Sequence, residues 1–187
     1  MVISMSSNRS RKITKLILIR HADTDDSWGE EYQEPPGPPL SEMGRKKILL
    51  IKNKLLTEFN PDRIYVSSFK RTLESLELLI NGKETKNVII EQRLSERRLD
   101  EGFEDVKKRV HDWIKTTIRP KGEVIWVCSH CAPINAIILI LTPFKFKVAT
   151  KDERGCVVPK GGVWLIEWEN EKITKSELII GKEYLRG

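Results

Sequence analysis

Four short apolar runs punctuate the chain, and each is followed by a stretch of helical periodicity. Lys15-Leu-Ile-Leu-Ile19 has the form of a strand buried on both faces. An acidic segment and then Pro35-Pro-Gly-Pro-Pro39 follow, which cannot continue a helix or a central strand and so read as loop. Ser41 has the character of an N-cap, with Ile48, Ile51, Leu55 and Phe59 at helical spacing behind it and Asn60-Pro61 as the stop. Arg63-Ile-Tyr-Val-Ser67 is the second strand. Ser68 then opens a helix that carries Phe69, Leu73, Leu76 and Ile80 on one face and ends at Asn81-Gly82.

Val88–Ile90 is a third strand, followed by a charged stretch from Glu91 to Asp105. Val106, Val110, Trp113 and Ile114 then mark a helix that runs to about Arg119 and stops at Pro120. Glu123–Cys128 is the fourth strand, and an apolar helix from about Ala132 to Leu141 comes next. Beyond Pro143 the pattern turns strand-like over Gly155–Pro159, Gly162–Trp168 and Lys172–Ile180. Strands that alternate with helices predict an α/β fold, a mainly parallel central sheet with helices on both faces in three layers.

At 187 residues the chain is expected to form a single domain over residues 1–187, with the basic, acid-free start (residues 1–12) as a mobile tail. A 39% hydrophobic fraction suffices for a packed core and excludes a disordered chain, despite 32% charge. The longest apolar run, Cys131–Leu141 with Asn135 excepted, is far short of the ~20 residues needed to span a bilayer, and the first residues lack the apolar stretch of a signal peptide. No membrane association and a cytoplasmic location are therefore expected. Three cysteines, an odd number, argue against a disulfide framework, with Cys128 and Cys131 read as buried packing residues.

The net charge of +6 favours anionic partners, but no continuous basic stripe with interleaved aromatics is legible, so nucleic acid is not an expected partner. In sheets of this type ligands bind beyond the carboxyl ends of the strands. Sorting polar residues by that rule isolates Arg20-His21 after the first strand, Ser67-Ser68 and Arg71 after the second, and Ser129-His130 after the fourth. Two of the chain's three histidines are in that set; the third, His111, falls on a polar helix face and reads as solvated. Arginine forks match phosphate oxygens, and a neutral imidazole between them can attack phosphorus while a carboxylic acid serves the leaving oxygen. That chemistry requires no metal and no cofactor.

These residues resemble a known family. Leu18-Ile-Arg-His-Ala-Asp-Thr24 is similar to the Arg-His-Gly-x-[Ser/Thr] signature of the histidine phosphatase superfamily, which includes the cofactor-dependent phosphoglycerate mutases. Pro39-Leu-Ser-Glu-Met-Gly44, Ser67-Ser-Phe-Lys-Arg-Thr72 and Val127-Cys-Ser-His-Cys-Ala-Pro-Ile134 resemble three further family segments in order and spacing. The resemblance covers about residues 15 to 140. It implies a phosphoglycerate mutase-like fold, His21 as the nucleophile that becomes phosphohistidine, and Arg20, Arg71 and His130 as the rest of the phosphate pocket. Thr24 is implied as a further hydrogen bond to phosphate. Leu94-Ser-Glu96 matches the segment that carries the general acid, so Glu96 is the expected acid, with Glu101 and Glu104 as competitors.

Ala22 and Cys131 stand where the family has glycines. The stretch Asp25-Asp-Ser-Trp-Gly29 lacks the Trp-Asn pair of the mutases, and the acidic residues between Asp23 and Glu34 suit a multiply anionic substrate poorly if they lie at the pocket mouth. Phosphomonoester hydrolysis on a small phosphorylated substrate is therefore the expected activity, ahead of mutase-type phosphoryl transfer and of an inert phospho-ligand-binding module. Trp28, Tyr32 and Phe103 are candidates for stacking on a substrate ring.

Overall fold

The computed structural model describes residues 13–25, 27, 34–81, 87–169 and 172–186. The expected basic tail, Trp28, Tyr32 and Gly82 lie outside them. The chain order is β1 (Ile13–Arg20), α1 (Glu42–Glu58), β2 (Arg63–Val66), α2 (Lys70–Ile80), β3 (Val88–Ile90), α3 (Phe103–Thr117), β4 (Val124–Ser129), α4 (Cys131–Leu141), α5 (Pro143–Val148), β5 (Val163–Glu169) and β6 (Lys172–Ile180). A single 3-10 turn, Gln92–Leu94, follows β3.

The six strands form one sheet in the order β3-β2-β4-β1-β5-β6. The pairs β3/β2, β2/β4 and β4/β1 are parallel, whereas β1/β5 and β5/β6 are antiparallel. Strand alternation sorts the core into two layers. Leu16, Leu18, Ile125 and Val127 pack with Val106, Val110 and Trp113 of α3 and with Ile134, Ile137 and Ile138 of α4. Ile17, Ile19, Trp126 and Cys128 pack on the other face with Ile48, Ile51 and Leu55 of α1 and Leu76 and Leu79 of α2. The expected three-layer α/β architecture is thus observed. No described helix is long and apolar enough to cross a membrane.

Local chemistry sets the element ends. Ser41 Oγ accepts the Gly44 N–H at 3.0 Å and so starts α1. Asn81, at φ 49°, ends α2 in the left-handed conformation. Ser68 does not cap α2: its hydroxyl goes to Gln92 Oε1 at 3.2 Å, and the helix starts two residues later, at Lys70.

Three further expectations are corrected. Gly155–Pro159 is a loop rather than a strand, because Asp152 Oδ1 accepts the N–H groups of Arg154 and Cys156 and curls the backbone, with Gly155 at φ +76°. The residues after Pro143 first form the short helix α5. Cys131 is half-buried and disulfide-bonded to Cys156, with a Cα–Cα distance of 5.5 Å. The odd cysteine count concealed that pair, which closes across 25 residues and leaves Cys128 as the free, buried thiol.

Candidate active site

The parallel register brings the site together. Arg20 is paired with Ser129, and Val66 with Cys128, so β1, β2 and β4 end level with one another. The residues that follow, His21, Ser67 and His130, are all essentially buried. The His21 and His130 rings meet edge-on at 5.1 Å between centroids.

His21 Nδ1 lies 2.8 Å from the carbonyl of Ala22, which can only accept, so Nδ1 carries the proton. Nε2 is then the lone-pair nitrogen. Burial, reinforced by the charges of Arg71 and Arg20, holds the His21 imidazole well below the ordinary histidine pKa of 6.5. His130 is shifted in the same direction, again chiefly by burial and next by Arg71. Its Nε2 meets Ser67 Oγ at 2.8 Å, and its buried Nδ1 has no hydrogen-bond partner.

Two guanidinium groups flank the histidines. Arg20 Nη1 donates to Val158 O at 2.9 Å and to Asp152 Oδ2 at 3.1 Å. Arg71, fully buried, stacks over Phe69 at 4.4 Å and approaches Glu96 Oε2 to 3.8 Å through Nη2. Gly37, at φ +60°, lies against it, and an added Cβ there would sit 2.7 Å from Arg71 Nη1. Glu96 Oε2 is also 3.6 Å from His130 Nδ1.

The segment that carries Glu96 is fixed from behind. Ser129 Oγ donates to Leu94 O at 2.6 Å, and Arg109 of α3 donates to Arg93 O at 2.6 Å and Glu96 O at 3.2 Å. The competing carboxylates face elsewhere: Glu101 pairs with Arg109 and Glu104 with Lys107.

The structure therefore assembles Arg20, His21, Arg71, Glu96 and His130, whereas Thr24 is buried in an isolated bridge to Leu40 and lines neither adjoining cavity. His111 is exposed, and Phe103 lines the cavity of about 370 Å³ that contains His21 and Glu96. Asp23, from the acidic stretch, is turned to Lys47 and Lys160 rather than to the histidines. Asp152 and Arg109 were not singled out in the sequence. Asp152 carries no local signal, and Arg109 hides in a charged helix where only its place beside Val110 hints at a buried partner.

One donor atom each from His21, Glu96 and His130 lies within 4.8 Å of the others, close enough in principle to hold a cation. Arg20 and Arg71 stand against the same atoms, however, and their charge favours an anion there. Paired guanidinium forks, one lone-pair imidazole nitrogen, one orphaned ring nitrogen and a carboxyl group make a receptor for a tetrahedral oxyanion.

Residues 16–101 match the family model described as histidine phosphatase superfamily (branch 1). That match covers a little under half of the chain. Phosphoserine phosphatase 1 of Hydrogenobacter thermophilus is 41% identical over 94 residues, which cover 49% of this chain and 41% of that protein. The chain thus spans about two-fifths of the length of the curated relative it matches. Among solved structures, Bacillus stearothermophilus YhfR superposes with a TM-score of 0.73 at 18% identity, covering 92% of this chain and 99% of that one. Phosphoglycerate mutase from Bacillus anthracis gives 0.68 at 15% identity over 94% and 96% of the two chains. At such identities the likeness is one of fold.

Proposed function

We propose that the chain is a histidine phosphatase that hydrolyses small phosphomonoesters through a phosphohistidine on His21. The observation that carries the reading is the His21 tautomer: with Nδ1–H donated to Ala22, a lone pair on Nε2 remains in a cavity shared with Glu96 and flanked by Arg20 and Arg71. Arg20, Arg71 and His130 hold the phosphate oxygens and stabilise their charge as the transition state forms. Nε2 attacks phosphorus, the bond from phosphorus to the ester oxygen breaks, and the Glu96 carboxylic acid gives its proton to the departing alkoxide. The Glu96 carboxylate then takes a proton from water, whose oxygen attacks phosphorus and breaks the N–P bond. Inorganic phosphate leaves, and His21 is again neutral.

Water has access to that second step, because the Glu96 side chain keeps 14% exposure. A mutase must exclude water from the same intermediate, so this feature supports hydrolysis. The relative named phosphoserine phosphatase supports it too.

The test is p-nitrophenyl phosphate turnover in EDTA from about pH 4 to about pH 9, by the wild type and by His21→Ala. Turnover by the wild type alone, with an acid-labile phosphorylated protein in the quenched reaction, is the expected result. Equal activity in both would remove His21 as nucleophile. Inactivity in both, with vanadate still bound, would point to an inert binding module.

A further inference from the structure

We infer that the natural leaving group is itself an anion, a short carbon skeleton bearing a carboxylate or a second phosphate, and that Arg97 and Arg154 clamp it. The inference rests on the phosphomonoesterase reading and deepens it. Seven described arginines, Arg20, Arg45, Arg63, Arg71, Arg93, Arg98 and Arg109, each have a carboxylate within ion-pair distance. Arg119 instead donates to the carbonyls of Lys115 and Ile118. Among the described side chains, the guanidinium groups of Arg97 and Arg154 make neither kind of contact; each residue takes part only through its backbone N–H. Both line the cavity that holds His21 and Glu96.

The charge balance of that cavity points the same way. In the proposed reaction a phosphate dianion is served by Arg20, Arg71 and His130. Glu96 is the one carboxylate lining the cavity, beside Arg20, Arg97 and Arg154. The rim pair is therefore surplus to the phosphate, and a guanidinium fork suits a carboxylate or phosphate better than a neutral group. At about 370 Å³ the cavity lies at the small end of the ~300–1,000 Å³ typical of ligand sites. Phe103 and Ala132 give its wall an apolar stretch against which a short skeleton fits.

Both arginines stand on fixed backbone. Arg154 lies two residues before Cys156, whose disulfide to Cys131 ties the loop to the start of α4; Asn135 binds Gly155 O and the Val157 N–H in the same loop. Arg97 lies between Glu96, whose carbonyl is held by Arg109, and Arg98, whose N–H is held by Glu101. Only the side chains need to be ordered when an anion arrives, which limits the entropic cost of the clamp.

The experiment compares substrates that differ by one anionic group. O-phosphoserine and O-phosphoethanolamine differ only in the carboxylate; propane-1,3-diyl bisphosphate and 3-hydroxypropyl phosphate differ only in the second phosphate. The wild type is expected to favour the anionic member of at least one pair by about tenfold in kcat/KM, and the pair that shows it identifies the anion. Arg97→Ala and Arg154→Ala should each cut that ratio several-fold, and Arg154→Glu should invert it. Ratios near one in the wild type, or ratios unmoved in all three variants, would overturn the clamp. Should none of the four esters turn over, the phosphatase reading fails separately, and calorimetric binding of the same pairs to His21→Ala still reads the preference for or against the extra anion.

Discussion

Asp152 Oδ2 accepts a hydrogen bond from Arg20 Nη1 at 3.1 Å across 132 residues of chain, so the Arg20 guanidinium is oriented by a loop far from it in sequence. The other carboxylate oxygen of Asp152 takes the N–H groups of Arg154 and Cys156 at 2.9 Å each. One side chain thus shapes the loop and aims the guanidinium. Its carboxyl is held below the ordinary carboxylate range despite partial burial, because the Cys156 N–H and Arg20 stabilise the charged form.

Replacing Asp152 by alanine is therefore expected to act twice. Arg20 keeps only Val158 O, and the loop loses both N–H acceptors, at a cost of about 1–2 kcal/mol in stability. The kcat/KM for any phosphomonoester should fall about tenfold, with weaker inhibition by inorganic phosphate as the companion sign. Steady-state kinetics and a denaturant melt measure the two effects. Unchanged phosphate inhibition would show that Arg20 does not need this anchor.

The histidines make stability depend on pH in a defined direction. Both His21 and His130 bind a proton less readily when folded than in the unfolded chain, where 6.5 is the ordinary value. Below that pH the unfolded state takes up more protons, so stability is full above about pH 6.5 and falls as the pH drops, by roughly 1 kcal/mol per pH unit for each histidine. His21→Ala should flatten the curve of melting temperature between about pH 6.5 and about pH 5 relative to the wild type. A wild-type curve that is level over that window would refute the neutral buried state.

Arg109 is a positioning residue for Glu96, which it holds through the backbone carbonyl while bracing Arg93 O and the Glu101 carboxylate. Its loss should misplace the acid without touching the nucleophile. In kcat/KM, which reports the phosphorylation step and not the later attack of water, leaving groups that depart without protonation, such as p-nitrophenolate, should then suffer little, and alkyl phosphates should lose about tenfold or more. A merely structural role would lower both alike, so the ratio of the two kcat/KM values decides the question. Glu96→Gln should produce the same skew more strongly.

Much of this arrangement was legible in the sequence because it is written in local patterns. Runs such as Leu16–Ile19 and Ile125–Cys128 mark buried strands, and the catalytic candidates sit immediately after them, where the register of β1 with β4 must bring them level. Glu96 was legible only through the Leu-Ser-Glu resemblance, since Glu101 and Glu104 are its equals by composition. Their removal from contention came from Arg109 and Lys107, which are tertiary partners. The antiparallel β5–β6 pair, the loop at Gly155 and the Cys131–Cys156 bond all depend on the chain's return after α4, and no periodicity encodes where that return passes.

Gly44 shows how a motif glycine serves packing rather than turn geometry. It begins α1 at the point where the helix backbone meets Asp23, and Ser41 N–H donates to Asp23 O at 2.9 Å beside it. A Cβ at residue 44 would run into the Asp23 carbonyl itself, and no flexible side chain is available to yield. Gly44→Ala is expected to cost about 1–3 kcal/mol and to push the segment after His21 outward, lowering kcat as well. A melt unchanged by that substitution would mean that α1 can slide.

The Cys131–Cys156 bond offers the last test, because it closes a 25-residue separation between the residue after His130 and the loop that carries Asp152. A loop of that length raises stability by about 3 kcal/mol through the unfolded state alone. Reduction with dithiothreitol, or the Cys156→Ser variant, should lower the unfolding free energy by that order and loosen Asp152 from Arg20, so that phosphate inhibition weakens in parallel. Cys128 provides the internal control. It is buried on the face of β4 that packs against α2, with burial pushing its thiol up to about 12, and it should resist alkylation until the protein unfolds. Wild-type protein that melts identically with and without reductant, while labelling two thiols after reduction, would show that the bond adds nothing to this fold.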